Sequence, residues 1–438
     1  MAVSSIAQLF TPIAEGISLL KAQDKIPIVR SYSQPGRQNE TGAKSDVPAT
    51  QQDSTMTKPP AMPEQPSPAG TKPATLPDGQ NTAEASPTSL PDSAATEDMR
   101  LTIRKIKHDV NAVTIRGFCT DEMAQIILAS GDAPAYVGRI GDAVGKITAA
   151  MGEHHPYWAL RPLHTQEIKK LFIQSLDAFV KISQASGSGT SWAFSSLSNL
   201  DSRFLIQTLD GCVKLSQATG QYAYLAFNTL SDPCLSELLA QNPWQVVDAF
   251  VKIAHASGGN VYLTFGDIAR PSVAKLIVQN PDACVKISQA SGEYAHETFR
   301  AINIAVPELF AQNADACVKI AQATGHYAPD AFYALSNFSP EFVAQNIDAF
   351  VKISQASGIY AYLAFNSLSH TGTRQLFASN IDACVKIAQA SGGYAWDAFD
   401  ALCQPRTNQL FAQDPVRFVK IAGDSGEKAG AAFRLLVK

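Results

Sequence analysis

Apolar and polar residues follow one pattern that is repeated along most of the chain. The stretch from Asp177 to Gly187, DAFVKISQASG, returns with small changes in copies that begin at Asp210, Asp248, Asp282, Asp315, Asp348, Asp382 and, in looser form, Arg417. Counted from its aspartate, positions 1, 2, 5 and 8 are Ala, Phe or Cys, Ile and Ala, whereas Asp, Lys and Gln stand at 0, 4 and 7. These two sets lie on opposite faces of an amphipathic helix, which we name helix A.

A second helix, helix B, is predicted after the glycine that closes each copy. Its pattern is x-Tyr-Ala-x-x-Ala-Phe-x-x-Leu, as in Ile359 to Leu368, and the Phe is present in every copy from Phe194 to Phe433. Ala, Ala, Phe and Leu recur at i, i+3, i+4 and i+7, which makes them the buried face. A short third segment such as LFAQN, helix C, follows a connection that contains prolines.

Local signals mark where helix A begins and ends. The closing glycine predicts a left-handed C-terminal cap. Lys lies four residues after Asp in most copies, a spacing that predicts an intrahelical ion pair and a nearly neutral lysine row. The predicted N-cap residues, two before the aspartate or its equivalent, are Ser175, Thr208, Asn242, Asn280, Asn313, Asn346, Asn380 and Asp414.

The repeat period defines the architecture. The lysines of successive copies, from Lys181 to Lys420, are 33 to 38 residues apart, and fixed periods of this size are typical of stacked arrays. The sequence therefore predicts an all-α fold, a right-handed α-solenoid of about nine repeats over residues 141–438. GDAVGKIT, around Lys146, resembles a phosphate-binding loop, but three residues separate its glycines where that loop needs four, so we interpret Lys146 as another repeat lysine.

Two regions precede the array. Residues 1–98 contain twelve of the 25 prolines between Pro27 and Pro91 and few large apolar residues, so we predict that they are disordered. Residues 99–140 are expected to form an N-terminal cap. Within it, residues 100–118 alternate apolar and polar side chains, which predicts two short strands, and a degenerate repeat follows. No apolar run is long enough for a membrane span.

Composition argues against several functional classes. The net charge of −4 does not suit a general polyanion binder. Cysteines alternate with phenylalanine at one position of helix A, which indicates a core site rather than a metal or disulfide site. His154, His155 and His164 lie in the most degenerate unit, and no catalytic motif is present. We therefore expect no enzymatic activity and no cofactor.

Partner selectivity is expected at positions that differ between units and share one face of helix B. These are the residue after the glycine, x, and positions x+3 and x+7. Aromatic side chains are frequent at x+3 and favour an interface with a protein partner, although packing between units remains the other explanation. The candidate partner-binding residues are Gln221, Tyr224, Tyr262, Glu293, His296, Arg300, His326, Tyr333, Ile359, Tyr362 and Trp396.

The register of FVKIAGDSGEKAGAAF, from Phe418 to Phe433, resembles the repeats of transcription activator-like effectors and their bacterial relatives. That resemblance implies reading of DNA by one loop residue per repeat, as the alternative to a protein partner. The implied reading positions are Ser188, Gln221, Gly259, Glu293, His326, Ile359, Gly393 and Glu427.

The N-terminal region is similar in composition to the secretion region of bacterial type III effectors. This implies secretion into a host cell and a host protein partner, with a cytoplasmic location as the alternative.

Overall fold

The computed structural model describes residues 92–152 and 156–437, and within these ranges the chain is all-helical, without strands. The predicted A, B and C helices are present. The A helices are Leu176–Ser186, Ser202–Thr219, Pro243–Ser257, Pro281–Ser291, Ala314–Thr324, Ile347–Ser357, Ile381–Ser391 and Pro415–Ser425.

A three-residue 3-10 turn that begins at the closing glycine joins each A helix to its B helix. The B helices are Thr190–Ser198, Ala223–Leu230, Val261–Ile268, Ala295–Ala305, Ala328–Leu335, Ala361–Ser369, Ala395–Leu402 and Ala429–Leu435. The C helices are Gln166–Gln174, Ser236–Gln241, Pro271–Gln279, Pro307–Gln312, Pro340–Gln345, Thr371–Ser379 and Pro405–Gln413.

Helices stack on their equivalents in neighbouring units. Each A helix packs along the A helix of the next unit, and each B helix along the next B helix. Ala133–Met151, which contains the degenerate copy at Asp142, packs on the A helix Leu176–Ser186 in the same way. The apolar faces that one unit cannot bury alone are therefore buried between units.

The N-terminal prediction of two strands is wrong, because residues 92–113 form one helix, Asp92–Val113. Ile106 and Val110 are buried and Ile103 is half-buried, which is a helical i, i+3, i+7 stripe that short-range alternation concealed. This helix includes residues 92–98, the last seven residues of the region predicted to be disordered. The remainder of that region lies outside the described residues. The helices Asp121–Ala129, Ala133–Met151 and Pro156–Leu160 follow.

Phenylalanines from all three helices form the core of a unit. Phe350 of helix A lies 5.4 Å, between ring centroids, from both Phe365 of helix B and Phe377 of helix C. The B-helix Phe is at most 2 % exposed in every copy from Phe194 to Phe433, which confirms its predicted burial. Edge-to-face contacts of this kind add to the stabilisation from apolar burial.

Seven of the eight predicted N-cap residues, all but Thr208, stand at the N-cap position of helix A. Among these seven, however, the side chain of Asp414 alone makes the hydrogen bond of a cap. Helices C and A meet at a single residue, so an asparagine there both ends one helix and begins the next. Asn346 and Asn380 donate their side-chain amides backwards, to the Phe342 and Leu376 carbonyls at 2.8 and 3.1 Å, and do not cap helix A. Thr208 lies inside the helix Ser202–Thr219. Asp414 does cap its helix, accepting from the Arg417 amide at 3.0 Å.

The closing glycines have positive φ but are not left-handed helical caps. Gly358, for example, has φ 57° and ψ −134°, and the equivalent glycines from Gly187 to Gly426 share this conformation. Only glycine adopts this combination of φ and ψ without strain. At this glycine φ and ψ have the opposite signs to those of an ordinary extended residue, and helix B follows after the three-residue turn.

Adjacent glycines in one turn provide a test of this conformation. We expect Gly258→Ala to lower the free energy of unfolding by about 2 kcal/mol, because alanine is strained at its φ of +50°. Gly259→Ala is the matched control, since a Cβ there meets nothing within 4 Å and its φ is not in the positive region. Chemical denaturation of the two variants measures the difference, and equal losses would contradict the assignment of strain to Gly258.

The lysine row is less tightly paired than its spacing predicts. Among the described residues, only Lys252 closes the predicted ion pair, with its Nζ 2.6 Å from Asp248 Oδ2. Both side chains are more than half exposed, so the pair contributes little to stability. The lysines and aspartates of the other A helices are exposed as well. None of the helices in the described ranges is long and apolar enough to cross a membrane.

Candidate partner-binding surface

The 3-10 turns that join helices A and B lie side by side. Consecutive turns contact one another from Gly258–Asn260 to Gly426–Lys428. Each turn presents residue x and then a residue that is tyrosine in most units. We name the following residues, with the residue x that precedes each, the turn row: Tyr222, Asn260, Tyr294, Tyr327, Tyr360 and Tyr394.

The turn tyrosines were missed as candidates in the sequence because they hardly vary, and only variable positions were considered. Tyr294, Tyr360 and Tyr394 are 46, 45 and 50 % exposed, although they recur at one position in successive units. Recurrence of a large aromatic residue at an exposed position is the signal that would have identified them. Exposed aromatic side chains that cluster in this way are typical of interaction surfaces.

Residues of the next unit pack against these tyrosines. The Tyr327 ring stacks on Tyr362 with centroids 5.3 Å apart, and Tyr222 lies 5.3 Å from Tyr262. Tyr294 lies 6.1 Å from His326. At these three places a side chain of the next unit therefore helps to fix the turn tyrosine of the unit before it.

The predicted candidates at position x lie where they were expected, on the surface. Gln221, Glu293, His326 and Ile359 are all exposed within the turn row. Glu293 is the only carboxylate in the described turns between Gly187 and Tyr394, and these turns contain no lysine or arginine. This surface is neutral to acidic, with polar and apolar side chains beside the aromatic rings.

The candidates at position x+3 are less accessible than predicted. His296 is buried, with 8 % exposure, so its assignment to an exposed face is wrong. Tyr362 and Trp396 are half-buried against the core. Tyr224 is half-buried beside Trp192, and burial raises its pKa. Of these five, only Tyr262 is well exposed, at 42 %. The rings of Tyr224, Tyr262 and Tyr362 pack against aromatic residues of the preceding unit, which explains much of the burial at position x+3.

Arg300, at x+7, joins two units instead of facing a partner. Its guanidinium donates to both carboxylate oxygens of Asp267, in the preceding unit, at 3.1 and 3.2 Å. Arg270 lies 3.4 Å from the same carboxylate. Asp267 is 3 % exposed, and burial raises its pKa although the two arginines oppose that shift. Tyr333, also at x+7, is half-buried nearby, and burial raises its pKa.

Neither the cysteines nor the histidines form a site in the described chain. Cys212, Cys317 and Cys384 are buried, and burial raises the pKa of each thiol to about 12, which keeps them protonated and unreactive. The described residues hold no group of three or more His, Cys, Asp or Glu side chains that could bind a metal ion. His164 is exposed, and His154 and His155 lie outside the described residues.

The fold and the turn row define an all-helical protein built from repeated units, with aromatic residues exposed along its turns. No protein-family model matches the chain, and no curated protein matches it in sequence.

Substitutions of two tyrosines in one unit compare the loss of a packed ring with the loss of an exposed ring. We expect Tyr362→Ala to lower the free energy of unfolding by about 1–2 kcal/mol, because its ring packs on Tyr327 and the core. Tyr360→Ala should change it by less than about 0.5 kcal/mol, since that ring is 45 % exposed. Urea denaturation of both variants measures this. A larger loss for Tyr360 than for Tyr362 would mean that the turn row is a structural element.

Proposed function

We propose that this protein is a non-enzymatic repeat protein that binds another macromolecule, most favourably a host protein, through its turn row. The observation that supports this most strongly is the recurrence of exposed tyrosine at one turn position, in Tyr294, Tyr360 and Tyr394. We also propose the finer architecture, a right-handed α-solenoid of about nine repeats of 33–38 residues, from the repeat period.

The chemistry of the turn row favours a protein over a nucleic acid. Tyrosine offers a large apolar ring and one polar group, and it is enriched where protein interfaces bind most tightly. Binding to nucleic acid draws much of its affinity from neutralised phosphates. The turns from Gly187 to Tyr394 supply no lysine or arginine for this purpose, and they carry Glu293.

DNA reading is the second candidate. Gln221, Glu293, His326 and Ile359 are exposed in successive turns, at the positions where the resemblance to transcription activator-like effectors places one reading residue per repeat. We test it by fluorescence anisotropy with random-sequence duplex DNA, raising the salt concentration from low to physiological. Absence of binding at low salt would rule out DNA reading, because electrostatic attraction is strongest there.

The protein-binding proposal is tested by capture with the immobilised full chain. We expect proteins from host-cell extract that bind the natural chain to be lost when Tyr294, Tyr360 and Tyr394 are all replaced by Ala. The control is Ile304→Ala, which removes an apolar side chain that is 60 % exposed at the far end of a B helix. The proposal fails if capture is unchanged in the tyrosine variant, or if both variants lose it equally.

Secretion by a type III system is proposed from the composition of residues 1–98 alone. We expect this segment, fused to a reporter enzyme, to be exported from a bacterium with such a system. Export should stop in an isogenic strain that lacks the secretion apparatus. Equal export from the two strains would contradict the proposal.

A further inference from the structure

The part of the turn row between Tyr294 and Tyr394 has a regular composition. Four successive units place tyrosine at the same turn position, in Tyr294, Tyr327, Tyr360 and Tyr394, whereas the residue before it changes from Glu to His, Ile and Gly. Each unit thus presents one constant aromatic ring and one variable side chain. A ligand that contacts the constant rings must offer a similar group once per unit, so it is an extended polymer with a matching period.

The period of the rings identifies the conformation of that polymer. Neighbouring B helices pack side by side, and helices packed in this way have axes about 8–10 Å apart. A polyproline II helix has three residues per turn and rises about 3.1 Å per residue, so it repeats one face about every 9 Å. A β-strand covers a similar distance in three residues, but its side chains alternate, so every third one points away.

We name the place beside the Tyr360 ring, where the next unit has no side chain, the slot. The next unit has glycine at position x, and a Cβ placed on Gly393 would lie 3.5 Å from Cδ2 of the Tyr360 ring. Two units earlier on the row, the His326 ring is in the corresponding place beside Tyr294. The glycine therefore places no side chain against the Tyr360 ring, which is 45 % exposed, and Tyr394, the next residue after the glycine, is 50 % exposed. Aromatic-lined grooves are the surfaces that recognise proline-rich segments.

Charge defines the second property of the ligand. Glu293 is exposed in the row and Glu297 lies one helical turn further on, half-buried. Glu427 follows at the next turn after Tyr394, where Lys428 offsets it. A basic residue at one end of the ligand would complement Glu293, whereas phosphate groups would be repelled.

We infer that the turn row from Tyr294 to Tyr394 binds a proline-rich polypeptide segment in the polyproline II conformation, one turn of ligand per repeat unit, with a basic residue beside Glu293. This inference rests on the proposed function and specifies the partner's chemistry. Binding is non-covalent and needs no cofactor. The proline rings pack on the tyrosine faces, and the tyrosine hydroxyls can donate to the ligand's carbonyl groups, which a polyproline II helix leaves without internal hydrogen bonds.

The test uses the full chain and a fluorescein-labelled peptide, an arginine pair followed by about nine prolines, which is about three turns of polyproline II. The control peptide keeps the arginines and the length but has alternating glycine and serine. Anisotropy titrations should show that the proline peptide binds at least about tenfold more tightly. Equal affinity for the two peptides would overturn the inference, as would no detectable binding of the proline peptide.

Variants locate the site on the row. Tyr360→Ala should weaken the proline peptide about tenfold, the effect of losing an aromatic hot spot, and Gly393→Leu should do the same by filling the slot. Ile304→Ala is the control and should leave affinity unchanged. Glu293→Gln should weaken binding a few-fold at low salt and less at high salt. Each variant's melting temperature shows whether it folds. Unchanged affinity in both folded slot variants would overturn the inference.

The outcome is separable from that of the proposed function. If host proteins are captured through the tyrosines and the proline peptide does not bind, the inferred ligand is wrong and the binding surface stands. If the tyrosine variant captures the same proteins as the natural chain, the proposed function fails as well.

Discussion

Replacing Arg300 by alanine is expected to lower the free energy of unfolding by about 3 kcal/mol. The change leaves the Asp267 carboxylate, whose side chain is 4 % exposed, without its bidentate partner in the next unit. An uncompensated buried charge typically costs about 3–5 kcal/mol. The expected loss is at the lower end of this range, because Arg270, which lies 3.4 Å from the carboxylate, is still present in the variant. Urea denaturation of the variant and the natural chain at neutral pH measures the difference.

The loss should depend on pH. The pKa of Asp267 is already raised by burial, so the folded state takes up its proton at a higher pH than the unfolded chain does. Removing Arg300 raises this pKa further. The deficit should therefore be largest at neutral pH and shrink as the pH falls through the raised pKa, where the neutral carboxyl needs no counter-ion. A deficit that grows on acidification would contradict this account.

Arg434 provides the matched control, since it is also at position x+7 and also reaches back one unit. It pairs with Asp397 at 2.8 Å and Asp400 at 3.0 Å, but these carboxylates are 25 and 53 % exposed. Water can solvate them when the arginine is removed, so Arg434→Ala should cost about 1 kcal/mol or less. Equal losses at both positions would mean that burial of Asp267 does not set the cost.

The structural roles of residues that are identical in every unit could be predicted from the sequence. The B-helix Phe and the closing glycine serve one role in every copy, so repetition identified a core position and a positive φ. The ψ of these glycines could not be predicted, because it depends on how tightly helix B follows. Likewise, the position of Asn346 at the start of helix A was predicted, but not that its side chain donates backwards to the Phe342 carbonyl instead of capping the helix.

The candidate surface was predicted only in part, because its accessibility depends on the neighbouring unit. Glu293 and His326 were placed correctly, since both are exposed in the middle of their turns, directly after the closing glycine. His296 was not, because its side chain is buried, with Nδ1 3.1 Å from the Glu293 carbonyl oxygen of its own turn. Arg300 finds an acidic partner only because Asp267 stands one unit earlier, where most other units have a small residue. Which side chains pair across units depends on how neighbouring units are aligned when they stack, and a repeat pattern in the sequence does not specify that alignment.

Replacing Phe365 by alanine is expected to have the largest effect on stability, a loss of about 3–5 kcal/mol in the free energy of unfolding. Its ring is fully buried and meets Phe350 edge to face at 5.4 Å, and Phe350 in turn contacts Phe338 and Phe377. Removal of the ring would leave a cavity where helices A, B and C of one unit meet. Chemical denaturation measures the loss, and the exposed Ile359→Ala in the same unit should cost less than about 0.5 kcal/mol.

The position of the damage distinguishes a stacked array from a single globular core. In an array each unit contacts only its neighbours, so Phe365→Ala should accelerate amide hydrogen exchange most in its own unit and in the adjacent units. The distant A helix Leu176–Ser186 should keep its protection under conditions that open residues 347–369. Uniform acceleration along the chain would show instead that all units unfold together, and the nearest-neighbour description would then be wrong.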